Sequence, residues 1–592
     1  MAANLKEKVS AIFGSSVVED EKLLEECVSI CQIYNLDPQD LLWKWEALNF
    51  RTSNTLSEIS PFTMDSIGAL KETLRRNLAK EAAKKPQRIN PMGQKAAINL
   101  TRTRAPVQAA KIKNMDMSSA RSVQVKPEES VAGPSKVSFK GPKMDASSRK
   151  DRAYRYMYEK ISERSEALDD RIDEFGELIR EYYSIPELGD PSSSTDETTV
   201  VGRITHDSDT ITSGAKLTDA TITLESSRMY GSGSRIALRF DSALKIRGGP
   251  QGAEGLGFFP GAIAALKGKN GGGGWFLVTE ILVIPPLKSS PSPSLGLSKA
   301  HTESGGFSMC IVSGPYTPDA DLSYKPWRML LNRIKTAKPA VILLIGPFVD
   351  VTHPKIKNGD IESTPTQLFR SQIIDPLRAV LDSCPGTIAA VVPSVRDIIS
   401  RQAVYPQAEL EPDLAGTDSR IRMLPNPARF SLNDITFAIN TVDVLFHLRK
   451  DEYVKRGVEI NPIPPFSPDD VGTDSMANLC RHLLQQRSFY PIFPVPLDVT
   501  HEVNLDLSHS LPGLRLGAGS ESSGDDYAPD VLVLPSRFKH FSKVGSIRVH
   551  ATTAINPSFL TKGTYVMLNA IGKEMVDGTK DRIQAQIMKL EI

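Results

Sequence analysis

The spacing of apolar residues changes several times along this chain, and each change marks a different predicted element. In residues 1–80 and 151–195 apolar positions recur every three or four residues, which is typical of amphipathic helices. The first range predicts a small N-terminal α-helical bundle, and the second predicts a helix that packs on the domain after it. The predicted inward positions are Leu23, Leu24, Cys27, Ile30, Cys31, Tyr34, Leu41, Leu42, Trp45, Leu48, Ile67, Leu70, Leu74 and Leu78 in the bundle, and Met157, Ile161, Leu168, Ile172, Phe175 and Ile179 in the later helix.

Strand-like patterns follow in two regions of different character. Residues 196–287 contain short alternating runs separated by glycine-rich turns, which predict an OB-type β-barrel of about five strands. Residues 307–592 contain nearly continuous apolar runs between helical stretches, and such runs are typical of sheets covered on both faces. This second region is predicted to be a layered α/β domain. Its predicted strands lie at 307–312, 340–345, 387–392, 434–440 and 530–534.

Two stretches lack such periodicity and are predicted to be linkers. Residues 81–150 hold 15 lysines and arginines, five acidic residues and six prolines, a composition typical of a basic disordered linker. Residues 288–306 form a second linker rich in serine and proline. Within it, Ser290 and Ser292 each precede a proline, which makes both candidate phosphorylation sites for a proline-directed kinase.

Composition narrows the class of protein. The chain of 592 residues carries a formal net charge of only +1, so its overall electrostatics favour neither nucleic acid nor a membrane surface. Its five cysteines include no CxxC pair, so neither a structural zinc site nor a disulfide framework is predicted. No apolar run approaches the ~18 residues of a membrane span, and the low cysteine count fits a reducing compartment.

The loops after the predicted strands of the last domain carry an incomplete set of metal-ligand positions. They read Ser313-Gly314-Pro315-Tyr316, Gly346-Pro347-Phe348-Val349-Asp350, Val392-Pro393-Ser394-Val395-Arg396-Asp397 and Leu534-Pro535-Ser536-Arg537-Phe538-Lys539-His540. Their order resembles the calcineurin-like phosphoesterases. That family places aspartate and histidine ligands for two metal ions on such loops.

This resemblance implies an inactivated phosphoesterase domain. Pro347 stands where a carboxylate would bridge the two metal ions, and Val395 and Arg396 stand where asparagine and histidine ligands would be. Proline and valine have no ligand atoms, and arginine keeps its positive charge. We therefore expect no catalytic residues, no metal and no cofactor. Four remaining polar residues are expected only to form loop hydrogen bonds: Asp350, His353, Asp397 and His540.

The order of the parts is similar to one family in particular. A helical domain on a long linker, an OB barrel and an inactivated phosphoesterase domain resemble the B subunits of the eukaryotic replicative DNA polymerases, most closely their alpha branch. The segments that carry this resemblance are 154–160, 168–172, 314–317, 346–356 and 393–397.

The resemblance implies a non-catalytic subunit of the DNA polymerase alpha–primase complex, in the nucleus. The OB and phosphoesterase-like domains would form one rigid body that holds the zinc-binding C-terminal domain of the catalytic subunit. The small and large primase subunits would join through the complex, and other replication proteins would dock on the N-terminal domain. Contact with DNA would be mainly indirect, and no membrane would be involved.

Two alternatives belong to other classes of protein. An active metal-dependent phosphodiesterase or nuclease would rely on Asp350 and His540. An OB-fold module that binds single strands would use Arg235 and Arg239 on one face of a strand, with an affinity that falls steeply with salt.

Overall fold

The computed structural model divides the chain into two compact units, each described in part. In the first unit, residues 1–123, the described residues are 6, 8–10, 13, 21–33, 38–39, 41–43, 45, 67 and 71. In the second unit, residues 124–592, they are 137–143, 145–193, 195–207, 216–289, 306–402, 404–416, 418–465, 470–503, 506–519, 526–539, 546–571 and 582–591. Several predicted positions lie outside the described residues: Tyr34, Leu48, Leu70, Leu74, Leu78, Ser290, Ser292 and His540.

The first unit contains helix α1 (Glu21–Ile33), whose apolar face is buried. Burial raises the pKa of the Cys27 thiol to about 12, so this cysteine fills space and is a poor nucleophile. The helical spacing predicts every member of the apolar cluster around α1 except Val9. That cluster consists of Val9, Leu23, Leu24, Cys27, Ile30, Cys31, Leu41, Trp45 and Ile67.

The second unit alternates helices and strands. Its helices are α2 (Ala146–Asp151), α3 (Ile161–Tyr182), α4 (Arg228–Gly231), α5 (Lys325–Ala337), α6 (Pro354–Asn358), α7 (Pro365–Phe369), α8 (Asp375–Ser383), α9 (Pro412–Ala415), α10 (Val444–Asp451), α11 (Ser475–Gln485) and α12 (Leu507–Leu514). A π-helical turn, Arg370–Ile374, joins α7 to α8, and 3-10 turns lie at Leu497–Val499 and Leu560–Lys562.

The strands of this unit follow the same chain order. They are β1 (Phe139–Lys140), β2 (Thr198–His206), β3 (Ile222–Glu225), β4 (Arg235–Arg247), β5 (Gly255–Phe258), β6 (Ile263–Asn270), β7 (Trp275–Leu282), β8 (Phe307–Ser313), β9 (Val341–Ile345), β10 (Ile388–Val392), β11 (Ile421–Met423), β12 (Ala428–Leu432), β13 (Ile435–Ile439), β14 (Tyr453–Arg456), β15 (Val458–Ile460), β16 (Ala518–Gly519), β17 (Asp526–Tyr527), β18 (Val531–Val533), β19 (Ser546–Val549), β20 (Thr552–Ile555), β21 (Thr564–Ala570) and β22 (Ile583–Lys589).

Five strands close into the predicted barrel. The order is β4-β3-β2-β6-β7, and β7 pairs back onto β4. Alternate residues such as Leu224, Leu238 and Phe276 fill the interior, as the alternating sequence pattern requires. Helix α3 covers one side of the barrel by burying Ile172, Phe175 and Ile179 against β2 and β6, in agreement with the predicted docking helix.

The prediction is wrong about the N-terminal end of the docking helix. Met157 and Ile161 are 92% and 88% exposed, although the helical spacing places both on the apolar stripe. The helix begins only at Ile161, because Lys160 has an extended backbone and its amide donates to the Glu163 carboxylate at 3.0 Å. Met157 therefore precedes the helix, and Ile161 lies in its first turn, beyond the buried contact.

Two six-stranded sheets form the layered domain, residues 306–591. One has the order β11-β10-β9-β8-β21-β22, and the other has the order β1-β12-β13-β18-β20-β19. An apolar core fills the space between the sheets, helices α5 and α8 cover the outer face of the first, and α10 and α11 cover the second. The observed strands β8, β9, β10, β13 and β18 coincide with the five predicted apolar runs. The run Val341–Ile345 is buried at every position, since both faces of its sheet are covered.

The predicted linker at 81–150 contains regular structure near its C-terminal end. Strand β1 lies inside the predicted 81–150 linker, where it pairs with β12 and stacks Phe139 on Phe430 with ring centroids 5.4 Å apart. Helix α2 follows, capped by Asp145, which accepts a hydrogen bond from the Ser148 amide at 2.9 Å. Residues 137–143 and 145–150 are therefore structured, because a sheet edge and a helix cap supply backbone partners there.

Within the described ranges, no helix is both long enough and apolar enough to cross a lipid bilayer.

Candidate functional site: the loop cluster and the barrel junction

The loop cluster consists of residues 313–317, 346–353 and 393–398, which follow strands β8, β9 and β10. These strands are parallel neighbours, so their carboxyl ends meet at one edge of the sheet. The loops after β9 and β10 approach each other very closely, because a Cβ on Gly346 would overlap the Asp397 carboxylate and the Ser394 amide. The cluster brings together all predicted site residues that the structure describes: Ser313, Pro315, Pro347, Asp350, Val395, Arg396 and Asp397.

Asp397 is fully buried and joins two of the loops. Its Oδ1 accepts hydrogen bonds from the backbone amides of Phe348 (2.5 Å) and Val349 (3.0 Å), and its Oδ2 accepts one from the Ser394 amide (2.8 Å). Burial raises the pKa of Asp397 to about 7, and the three amide donors oppose that rise. Both carboxylate oxygens are therefore occupied by the protein's own backbone.

Asp350 is neutralised by an arginine of the neighbouring loop. The Arg396 guanidinium donates from Nε to Asp350 Oδ1 at 3.1 Å and from Nη2 to Asp350 Oδ2 in a closer contact. The same Nη2 donates to the Thr352 hydroxyl at 2.8 Å, and that hydroxyl donates to Asp350 Oδ1 at 2.7 Å. A two-pronged pair of this kind fixes both orientation and charge. The arginine thus neutralises the buried Asp350 carboxylate from within the chain.

The remaining replaced positions are packing residues. Pro315 and Pro347 follow Gly314 and Gly346 through cis peptide bonds. Ser313 is buried at the end of β8, and Val395 is buried in the apolar core that the barrel shares with the layered domain. Neither proline nor valine offers a ligand atom.

Two buried tyrosines fasten the loop cluster, and reasoning from the sequence assigns them no role. The Tyr316 hydroxyl donates to the Ile345 carbonyl at 3.1 Å, and the Tyr324 hydroxyl donates to the Phe348 carbonyl at 2.9 Å. Burial raises the pKa of both phenols well above the usual value, so both remain donors at every physiological pH. Their long-range partners leave no signal in the linear sequence.

His353 has a local role. It lies at the start of α6, where its Nδ1 accepts a hydrogen bond from the Lys355 amide at 3.2 Å. Its Nε2 lies 3.1 Å from the Pro318 carbonyl and 3.2 Å from the Asp321 carbonyl. This arrangement agrees with the expected loop hydrogen bonding.

The residues present do not fit a pair of divalent ions. The two carboxylates of the loop cluster are engaged, Asp350 by a guanidinium and Asp397 by three amides. Among the described residues, no group of three or more His, Cys, Asp and Glu side chains is placed to hold a metal ion. His540, the last member of the predicted set, lies outside those residues.

The barrel junction is the second feature of the site. Strand β14 of the layered domain pairs antiparallel with β5, and strand β15 pairs parallel with β4. The buried Gln486 side chain adds two hydrogen bonds of 2.9 Å to the backbone of Ile263, one donated and one accepted. Two strands from the chain segment of the layered domain, both outside its two sheets, therefore pair with strands of the barrel region.

The two arginines of the single-strand alternative lie exposed on the outer barrel face. Arg235 forms an ion pair with Glu225 at 3.3 Å, and the Arg239 guanidinium lies 4.7 Å from the Trp275 ring centroid. Trp275 is itself folded against the glycine turn, since a Cβ on Gly273 would lie 2.6 Å from its Nε1. Its ring is thus covered by Arg239 and the glycine turn, which does not favour base stacking.

Comparison with known proteins identifies the family. The family model for the OB domain of the DNA polymerase alpha B subunit matches residues 165–284, and the model for the B subunit of DNA polymerases alpha and epsilon matches residues 309–543. The Schizosaccharomyces pombe B subunit of DNA polymerase alpha is 30% identical over 615 aligned positions, covering 97% of this chain and 99% of that protein. The chain belongs to the family of DNA polymerase alpha B subunits.

More distant members of this family of B subunits match in part. The Saccharomyces cerevisiae protein is 29% identical, with 73% of this chain and 62% of that protein aligned. The Bos taurus protein is 27% identical, with 66% and 58% aligned. A solved structure from Thermus thermophilus matches 48% of this chain with a TM-score of only 0.22 at 10% identity, which supports no argument about the fold.

Family membership confirms the coarse functional expectations. The chain is an accessory subunit of DNA polymerase alpha, a replication protein that is not itself catalytic, and it contains an OB domain. This conclusion rests on the matched family, and the geometry of the loop cluster is consistent with it.

Proposed function

We propose that the second unit is a rigid platform in the DNA polymerase alpha–primase complex and holds the zinc-binding C-terminal domain of the catalytic subunit. The observation that carries this proposal is the barrel junction, where β14 and β15 extend the β-structure of the barrel. A partner that contacts both parts binds a surface that is already ordered, so little entropy is lost in fixing one part against the other.

The loop cluster supports a structural role for the layered domain. We infer a calcineurin-like phosphoesterase fold in which internal contacts replace the metal ions: Arg396 for the positive charge at Asp350, and backbone amides for the ligands of Asp397. Such contacts keep the loops in place without any bound ion. A platform assembled in this way keeps its shape whatever the metal concentration.

The other partners follow from the same proposal. The primase small and large subunits join through the complex, and the N-terminal unit docks other replication proteins from the end of a basic linker. The complex acts in the nucleus and supports primer synthesis, and this chain contacts DNA mainly through its partners. Phosphorylation at Ser290 and Ser292 would add about −1.5 to −2 charges each beside Lys288.

Co-purification tests the platform. The full chain is expressed with the catalytic subunit, or with a catalytic subunit that lacks its zinc-binding C-terminal domain, together with both primase subunits. We expect a stable four-chain complex in the first case and no capture of the catalytic subunit in the second. Equal capture by both would overturn the proposal, because it would place the contact elsewhere.

A matched activity assay tests the structural role of the loop cluster. Pure full-length chain, the Asp350→Asn variant and the Asp397→Asn variant are each incubated with Mn²⁺ and a generic phosphodiester. We expect no turnover above background for any of them. Turnover by the unaltered chain that both variants lose would establish the metal-dependent phosphodiesterase instead.

A further inference from the structure

A small cavity lies where helix α3, the barrel and the layered domain meet. It has room for about 30 Å³ of solvent, and its walls come from α3, from Gly261 of the barrel and from the segments 488–493 and 507–514. Most of the lining is apolar. Its charged members are two arginines, Arg171 on α3 and Arg203 on β2, and its lining contains no carboxylate.

Arg203 lines this cavity and carries buried hydrogen-bond donors. The residue is only 5% exposed, and its guanidinium lies 5.3 Å from the Phe493 ring centroid. Its Nη2 pairs with Glu225 at 2.9 Å, a carboxylate that also serves Arg235. Its Nε and Nη1 have no hydrogen-bond acceptor among the residues that the structure describes.

Arg171 brings a second positive charge to the same cavity. Its Nη2 donates to the Gln486 carbonyl at 2.7 Å, a contact with no negative charge. Burial, followed by the charges of Arg515 and Arg203, lowers the pKa of Arg171 to about 10. The shift has the sign expected where like charges face each other in a poorly solvated space.

Buried polar groups without a partner are rare in folded proteins, and the usual explanation is a water molecule or an ion that completes the site. Water would satisfy the donors of Arg203 but would leave the repulsion between the two guanidinium groups. A negative ion would both accept hydrogen bonds from these arginines and offset the repulsion between them. Since one water needs about 10–15 Å³, the cavity admits one or two waters or a single monatomic ion.

We propose that this cavity binds a small inorganic anion of the size of chloride, held between the guanidinium groups of Arg203 and Arg171. The ion joins α3, the barrel and the layered domain by neutralising charge at the point where they meet. This site is separate from the loop cluster, and it does not depend on the identity of any partner.

Thermal unfolding of the full-length chain tests the anion. The transition is measured in sodium chloride and in sodium gluconate at equal ionic strength, since gluconate is too large for the cavity. At a chloride concentration about tenfold above its dissociation constant, we expect a transition about 2 °C higher in chloride. The Arg203→Gln variant should lose this difference. The control Arg239→Gln, at an exposed arginine of the same barrel, should keep it.

A second measurement keeps the proposal testable if Arg203→Gln does not fold. Crystals of the unaltered protein are soaked in bromide, and its anomalous scattering is mapped. We expect a peak between Arg171 and Arg203. Only water density at that position, or a chloride effect that Arg203→Gln retains in full, would overturn the anion site.

Discussion

Asp350 and Arg203 are both almost completely buried, at 7% and 5% exposed, yet their surroundings differ. In the loop cluster, Asp350 meets a guanidinium of its own chain, and Asp397 meets three backbone amides. In the cavity lined by Arg171 and Arg203, called here the arginine cavity, two donors of Arg203 meet no acceptor among the described residues. The first region pairs its buried charges within the chain, whereas the second leaves buried donors of one arginine unpaired beside another arginine.

The comparison teaches that a region whose buried charges are paired within the chain differs from one that leaves buried donors unpaired. Leaving a buried charge or donor unpaired costs free energy, so each such group must find a partner in the protein or outside it. The loop cluster supplies these partners from its own chain, with Arg396 at Asp350 and backbone amides at Asp397. The four predictions below test this difference, from the largest expected effect to the smallest.

The first prediction concerns the closest approach in the loop cluster. Gly346→Ala should lower the free energy of unfolding by about 3 kcal/mol, because its Cβ overlaps the Asp397 carboxylate and the Ser394 amide. Thermal unfolding monitored by calorimetry measures the loss. Gly249→Ala is the matched control, since its Cβ would make only ordinary contacts at 3.4 and 3.7 Å, and it should be nearly neutral. If Gly346→Ala were as nearly neutral as Gly249→Ala, the loops would be able to move apart without loss of stability.

The second prediction removes the internal cation. Arg396→Met should destabilise the protein by about 2 kcal/mol, because it leaves the Asp350 carboxylate buried without its partner; the value is reduced from the fully buried case, since the arginine is 34% exposed. Arg401→Met, which removes an 80% exposed arginine paired with Glu411, should cost less than about 0.5 kcal/mol. Adding Asp350→Asn to Arg396→Met should recover part of the loss. If it does not, the pair is not the source of the stability.

The third prediction concerns pH. The carboxyl of Asp397 has a pKa of about 7 in the folded chain and an ordinary value near 3.8 when unfolded. Between these values the folded chain binds a proton that the unfolded chain has lost, so stability falls as pH rises, by up to about 1.4 kcal/mol per pH unit, and levels off above 7. Denaturant unfolding from pH 5 to 8 measures this slope. Asp397→Asn should flatten it, and parallel profiles would refute the assignment.

The fourth prediction addresses the arginine cavity without its anion. In gluconate, Arg171→Met should change the free energy of unfolding by less than about 1 kcal/mol, because relief of repulsion with Arg203 offsets the hydrogen bond lost to the Gln486 carbonyl. Parallel unfolding curves of both proteins measure this. A loss as large as that of Arg396→Met would mean that Arg171 already has a partner, and the contrast between the two regions would disappear.

The apolar pattern predicts much of the second unit correctly, because burial leaves a direct trace in the sequence. The run at 340–345 must lie in a sheet covered on both faces, and Val341–Ile345 does. Strand β1 has no such trace, since two residues in a basic, proline-containing stretch become a strand only because the edge of β12 is available to them. The exposed Met157 shows the opposite error, an apolar residue at helical spacing outside any helix.

The sequence predicts where the residues of the candidate site lie, but it does not predict their hydrogen-bond partners. The replaced loop residues identify Arg396 and Asp397 as members of one edge of the sheet. Nothing in the sequence indicates that Arg396 pairs with Asp350, 46 residues earlier, or that amides of the preceding loop surround Asp397. The unpaired donors of Arg203 are equally hidden, because they depend on three elements that meet only in the folded chain.

The barrel junction can form only late in the synthesis of the chain. Tyr453 pairs with Phe258, roughly 195 residues earlier, so β5 and the end of β4 have no partner from the layered domain until that much more chain has been made. At about 5–20 residues per second the wait is on the order of 10–40 s. During that time the nascent barrel presents open strand edges, the kind of surface on which newly made chains pair wrongly with one another. Completion of the barrel junction is therefore timed by the second half of the chain.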